Sequence, residues 1–108
     1  DENTLVSTGR DAMIRVWDLT IGKEVHAVAA HDYQAKSLSY NGTILLSSSM
    51  DKTIKLWSDR LDLLKVINIE RHAGHTNCIN KVDWIDENMF VSCSDDRSLL
   101  LWKVEIIL

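Results

Sequence analysis

The chain has 108 residues, 45% hydrophobic and 26% charged, with a formal net charge of −4. That balance belongs to a soluble folded domain rather than a disordered tail, and the acidic excess supplies no basic field to neutralise phosphates, so nucleic acid is not an expected partner. No run approaches the roughly 18 consecutive apolar residues of a membrane helix, and the acidic opening Asp1-Glu2 is unlike a signal peptide.

Along the chain, apolar residues recur at alternate positions over four to six residues, with turn formers between them. This is the period of strands, not helices. Residues 5–8, 13–17 and 24–28 are expected as strands of a first unit, the last two joined through Thr20-Ile21-Gly22. Residues 36–40, 44–48, 53–57 and 63–69 give the four strands of a second unit. Its first hairpin is read at Asn41-Gly42, where both residues tolerate positive φ, and residues 59–62 make its last connection. Residues 79–84, 89–93 and 98–103 give three strands of a third unit, with a turn at Asp86-Glu87-Asn88, and residues 104–108 begin its fourth. The chain has no proline, so no strand has to accommodate a missing donor.

These units are copies of one another. Residues 5–17 (LVSTGRDAMIRVW), 45–57 (LLSSSMDKTIKLW) and 90–102 (FVSCSDDRSLLLW) are each thirteen long, with Ser third, Asp seventh and Trp last. Trp17, Trp57 and Trp102 lie 40 and 45 residues apart, the spacing of a repeat that makes one four-stranded blade. His31 follows Ala30 and precedes Trp57 by 26 residues; His75 follows Gly74 and precedes Trp102 by 27.

On Ala30-His31, Gly74-His75, Val16-Trp17-Asp18 and the repeated Ser, Asp and Trp, the chain resembles the WD-repeat β-propeller family over essentially its whole length. The resemblance implies an all-β fold: a β-propeller segment of four-stranded antiparallel blades, one complete and two partial, within a larger ring of about seven blades. Residues 1–30 would be a partial blade, 31–70 the complete one, and 71–108 a blade with an incomplete last strand, all within one propeller domain. A blade buries its faces against its neighbours. The expectation is therefore a fragment of a longer propeller or a truncated product, with self-association into a ring as the less favoured route.

The resemblance also implies a buried hydrogen-bond network in each unit. The second unit would use His31, Ser47, Asp51 and Trp57, and the third His75, Ser92, Asp96 and Trp102. The first keeps Ser7, Asp11 and Trp17, and its histidine would lie before residue 1. The chemistry suits such a chain, since indole N–H only donates, hydroxyl donates and accepts, imidazole bridges and carboxylate accepts. The same residue types invite a Ser-His-Asp catalytic reading. Repetition argues against it, because a nucleophile is a singular residue activated at one cleft, and all three units carry the Ser and Asp. No catalytic residue and no cofactor is expected. His72, His75, Cys78 and Cys93 do not make a zinc set: there is no CxxC, and His75 already has a structural role. After tryptophan the family often carries Asp, which only Asp18 matches, with Ser58 and Lys103 in the other units. The two cysteines fit a reduced intracellular chain, cytoplasmic or nuclear.

What the resemblance implies for function is a non-catalytic protein–protein interaction scaffold or adaptor, holding partners of a multiprotein complex on the propeller face. The alternative is a substrate- or peptide-reading module, such as a ubiquitin-ligase receptor or a histone or phosphopeptide reader. Expected partners are other proteins or peptides, with no small-molecule substrate. Contacts are sought among side chains the blade does not need, on the face of the histidine loops and Asp turns. Arg10, Met50 and Asp95 each precede a turn aspartate. Gln34 and Lys36, with Cys78 and Asn80 in the third unit, enter the first strands, and Tyr33 is a loop aromatic of the kind enriched in binding hot spots. Tyr40 and Trp84 are expected in the core, as are the pairs Ile14 and Val16, Ile54 and Leu56, and Leu99 and Leu101.

Overall fold

The computed structural model describes residues 3–105. Within them ten strands form three antiparallel sheets. The first is β1 (Thr4–Thr8), β2 (Met13–Asp18) and β3 (Lys23–Ala29); the second is β4 (Ala35–Tyr40), β5 (Leu45–Ser49), β6 (Ile54–Trp57) and β7 (Leu63–Ile67); the third is β8 (Ile79–Trp84), β9 (Met89–Ser94) and β10 (Leu99–Lys103). Every strand pairs with its neighbour in sequence, so each sheet is a meander.

Register repeats with the sequence. Leu5 opposes Trp17, Leu45 opposes Trp57 and Phe90 opposes Trp102. Because side chains alternate along a strand, this register puts the Ser and Trp of each motif on one face and Ile14, the pair Ile54 and Leu56, and the pair Leu99 and Leu101 on the other. The core lies between sheets. Ile14 and Ala30 pack against Leu45, Trp57 and Leu61, and Ile44, Leu46, Ile54, Leu56 and Ile67 pack against Ile79, Val82 and Phe90. Trp84 meets Phe90 edge-on at 5.4 Å between ring centroids, and Trp102 stacks on Phe90 at 6.2 Å. These contacts make three blades stacked side by side, as the repeat implies.

Hydroxyls join the second and third sheets in addition to apolar groups. Ser37 Oγ accepts from the backbone N–H of Val82 at 2.9 Å, and Ser39 Oγ from that of Trp84 at 3.1 Å. The Trp84 indole donates to the Ser39 carbonyl at 3.2 Å. The inner strands β4 and β8 are thus stitched together across the boundary between blades.

Several expectations are corrected. The last strand of the second blade ends at Ile67 rather than 69, and a short helix α1 (Ile69–His72) follows, capped by the Asn68 side chain on the N–H of Arg71. The Asn41-Gly42 hairpin is a four-residue connection over residues 41–44, in which only Gly42 takes positive φ and Asn41 Oδ1 accepts from the N–H groups of Thr43 and Ile44. Val104 and Glu105 form no strand; the rest of the expected strand, residues 106–108, lies outside the described residues. Tyr40 is exposed, whereas the equivalent Trp84 is packed. Trp84 has β4 to lie against; Tyr40 borders an open groove of about 530 Å³, lined also by Val6, Val16, Leu38 and Leu61. Leu99 and Leu101 are exposed at 70% and 58%, although the equivalent Ile54 and Leu56 are buried. The third blade packs against Ile54 and Leu56, and no described sheet packs against Leu99 and Leu101.

Candidate functional site

The motif residues assemble as two nearly identical chains of hydrogen bonds. In the second blade Trp57 Nε1 donates to Ser47 Oγ at 2.9 Å, Ser47 Oγ lies 2.7 Å from His31 Nε2, and His31 Nδ1 lies 2.8 Å from Asp51 Oδ2. The third blade repeats this with Trp102, Ser92, His75 and Asp96 at 2.9, 2.8 and 2.9 Å. Proton positions follow from the donor and acceptor types. A carboxylate only accepts, so Nδ1 carries the proton, Nε2 accepts from the serine, and the serine oxygen accepts from the indole. A serine that donates to an imidazole in this way would resemble a nucleophile, but both serines are buried and also hold the tryptophan. No buried side-chain nitrogen or oxygen among the described residues lacks a partner, and a fully satisfied chain rigidifies what it joins.

Two residues of this network were missed in the sequence. Thr53 Oγ1 and Ser98 Oγ donate to the second carboxylate oxygens of Asp51 and Asp96, each at 2.5 Å. Burial alone would push the Asp51 carboxyl up, but hydrogen bonds from His31 and Thr53 outweigh it and hold the group well below its ordinary value. For Asp96 the Ser98 hydroxyl is the main cause of a similar lowering, which burial opposes and His75 reinforces. The signal was Asp-x-Thr and Asp-x-Ser. It is absent from the first unit, where Met13 takes the position. There Trp17 Nε1 still donates to Ser7 Oγ at 2.8 Å, while Asp11 pairs with Arg15, whose other nitrogen reaches Glu24 at 2.7 Å.

The side chains the networks leave over stand at the turns and first-strand ends of the three blades, where backbone bonds hold the turns. Ala35 N–H donates to the Gly9 carbonyl at 3.1 Å, which sets Arg10 beside the start of β4. Met50 N–H donates to the Gln34 carbonyl at 3.0 Å, and Ser49 Oγ donates to the same carbonyl at 2.9 Å. Asp95 N–H donates to the Cys78 carbonyl at 3.1 Å, and Asn80 Nδ2 donates to Asp95 Oδ1 at 2.8 Å. Arg10, Tyr33, Lys36, Met50 and Asp95 are exposed, and Gln34 and Asn80 are half-buried. Cys78 differs from the rest: it is buried, its Sγ faces Asn80 Oδ1 at 3.5 Å, and burial pushes its thiol pKa up, with Lys36 and Asp95 acting in opposite directions.

Among the described residues no group of three or more His, Cys, Asp and Glu side chains could hold a metal ion, and no helix is long and apolar enough to cross a membrane.

Comparison with known proteins gives the same picture. The chain matches the family described as WD domain, G-beta repeat, over residues 1–18, 22–58 and 66–103. It is similar to Lissencephaly-1 homolog 1 of Paramecium tetraurelia (32% identity, 93% of this chain and 24% of the relative). It is also similar to Nuclear distribution protein nudF of Aspergillus niger (29%, 94% and 24%) and to the Ribosome biogenesis protein WDR12 homolog of Aedes aegypti (28%, 94% and 24%). The chain spans about a quarter of the length of these curated relatives. Among solved structures, that of U3-55K superposes with a TM-score of 0.82 at 21% identity, over 94% of this chain and 31% of that one.

Proposed function

The chain belongs to the WD domain, G-beta repeat family, and from that premise we propose that it is part of an intracellular, non-catalytic scaffold or adaptor that holds other proteins on one face of its blades. The observation that carries this reading is the row from Arg10 through Lys36 and Met50 to Asp95. These side chains are exposed and take no part in the tryptophan networks. The backbones of Met50 and Asp95 are nevertheless fixed by hydrogen bonds to Gln34 and Cys78, and Gly9 beside Arg10 accepts from Ala35. Loops held this way bind a partner with little further loss of conformational freedom. The repeated serine and histidine, the other chemically suggestive groups, are saturated by structural bonds. Relatives named for nuclear distribution and for ribosome biogenesis favour a role in multiprotein assemblies, and the extended row favours an adaptor surface over a pocket-type reader.

The test is a comparison of partners captured by the wild-type chain and by a variant carrying Arg10→Ala, Met50→Asp and Asp95→Ala. The expected result is loss of specific partners with an unchanged circular-dichroism spectrum and melting midpoint. A folded variant that keeps every wild-type partner would contradict the assignment of this face.

A further inference from the structure

Resting on that reading, we infer that the row takes an extended peptide segment of fixed charge order, with an acidic side chain over Arg10 and Lys36 and a basic one over Asp95. The turn aspartates do not enter this pattern. Asp51 and Asp96 are committed to His31 and His75, and each is followed by a cation, Lys52 or Arg97, so they offset equally in both blades. Asp11 is likewise taken by Arg15. What remains along the row is unequal. Arg10 and Lys36 have no carboxylate partner among the described residues, whereas the third blade offers Asp95 at the corresponding turn.

Between the two ends stand Met50 and Tyr33, the exposed apolar residues of the same face. An exposed aromatic and an exposed thioether whose loop and turn are tied together suit an aliphatic or aromatic anchor. Dimensions set the spacing. Packed sheets lie about 10 Å apart, so two blade steps span about 20 Å, which an extended chain covers in about six residues at ~3.3 Å each. The partner chemistry is then an acidic residue, an apolar residue, and Lys or Arg about three to six positions from the acid, because Lys36 on β4 stands one blade step from Asp95 and Arg10 two. Asp95 is pre-oriented for its part, because Asn80 Nδ2 holds one carboxylate oxygen at 2.8 Å and leaves the other free to accept.

The probe is a phage-displayed library of random dodecapeptides panned against the full chain. The expected consensus has that charge order and apolar residue. Synthetic consensus peptide should bind the Arg10→Glu, Lys36→Glu variant and the Asp95→Lys variant about tenfold or more weakly, the scale of losing a hydrogen bond to a charged group. Asp59→Asn, in the β6–β7 connection at the opposite end of the strands, should leave its binding unchanged, and a peptide with its end charges exchanged should recover affinity for the Arg10→Glu, Lys36→Glu, Asp95→Lys variant. Enriched peptides that are lost with Met50→Asp but carry no charge order and ignore the reversals would overturn this inference and leave the scaffold reading intact. Peptides indifferent to Met50→Asp, Tyr33→Ala and the reversals alike would overturn both.

Discussion

Ala12, Lys52 and Arg97 each follow a turn aspartate and take φ of 63°, 71° and 69°. An L-residue in that region costs roughly 1 kcal/mol relative to glycine. Lys52→Gly and Arg97→Gly should therefore each raise the stability read by chemical denaturation by up to about 1 kcal/mol. The aspartates before them act in the opposite sense. A carboxyl held below its unfolded value, ordinarily near 3.8, contributes stability that is complete above that pH and is lost as the pH falls through the folded value. The chain should thus be progressively destabilised below about pH 4. Asp51→Asn should lower the stability at pH 7 by about 1–3 kcal/mol, because it weakens the carboxylate's bonds to His31 and Thr53. It should also flatten the acid limb of a plot of stability against pH. At this scale the sequence was legible wherever a residue recurred in every unit, as Ser7, Ser47 and Ser92 do. Thr53 and Ser98 escaped because Met13 breaks their repeat. Cys78 looked like a contact because position in a strand says which way the backbone enters, not how deeply the side chain is covered.

Strands were read to within about two residues because alternation is a strong signal over even five positions. Helix α1 was not, since four residues make little more than one turn, too short for an apolar periodicity to repeat; its cue was local, an Asn able to cap. Asn68→Ala should speed hydrogen exchange in residues 69–74 while changing global stability by about 1 kcal/mol or less. Tyr40 shows the limit of arguing by equivalence. It matches Trp84 in the repeat, yet its burial depends on what stands opposite, and only Trp84 has β4 beside it. The serines of β4 could not be recognised as contacts at all, because their partners are backbone N–H groups of another blade. Replacing both Ser37 and Ser39 by Ala removes the acceptors for Val82 and Trp84. The double variant should lose about 1–3 kcal/mol in a urea titration, with hydrogen exchange at those two amides rising most.

For the molecule as a whole, the sheets are stable because each hides its apolar face on the next. The order of blades and the placement of the core between them follow directly from a motif repeated at 40 and 45 residues. Which faces end up covered did not follow, because packing needs a neighbour. Leu99 and Leu101 on the outer face of the third blade are chemically equal to the buried Ile54 and Leu56, and Leu5 on the first blade is half-exposed where Leu45 and Phe90 are buried. Contiguous apolar side chains of this kind seek a cover, whether another blade or a second copy of the chain. Sedimentation of the isolated 108-residue chain over a range of concentrations tests this most directly. The stacked-blade account predicts concentration-dependent association that Leu99→Lys with Leu101→Lys suppresses. A monodisperse monomer at every concentration, melting in one cooperative step, would contradict it.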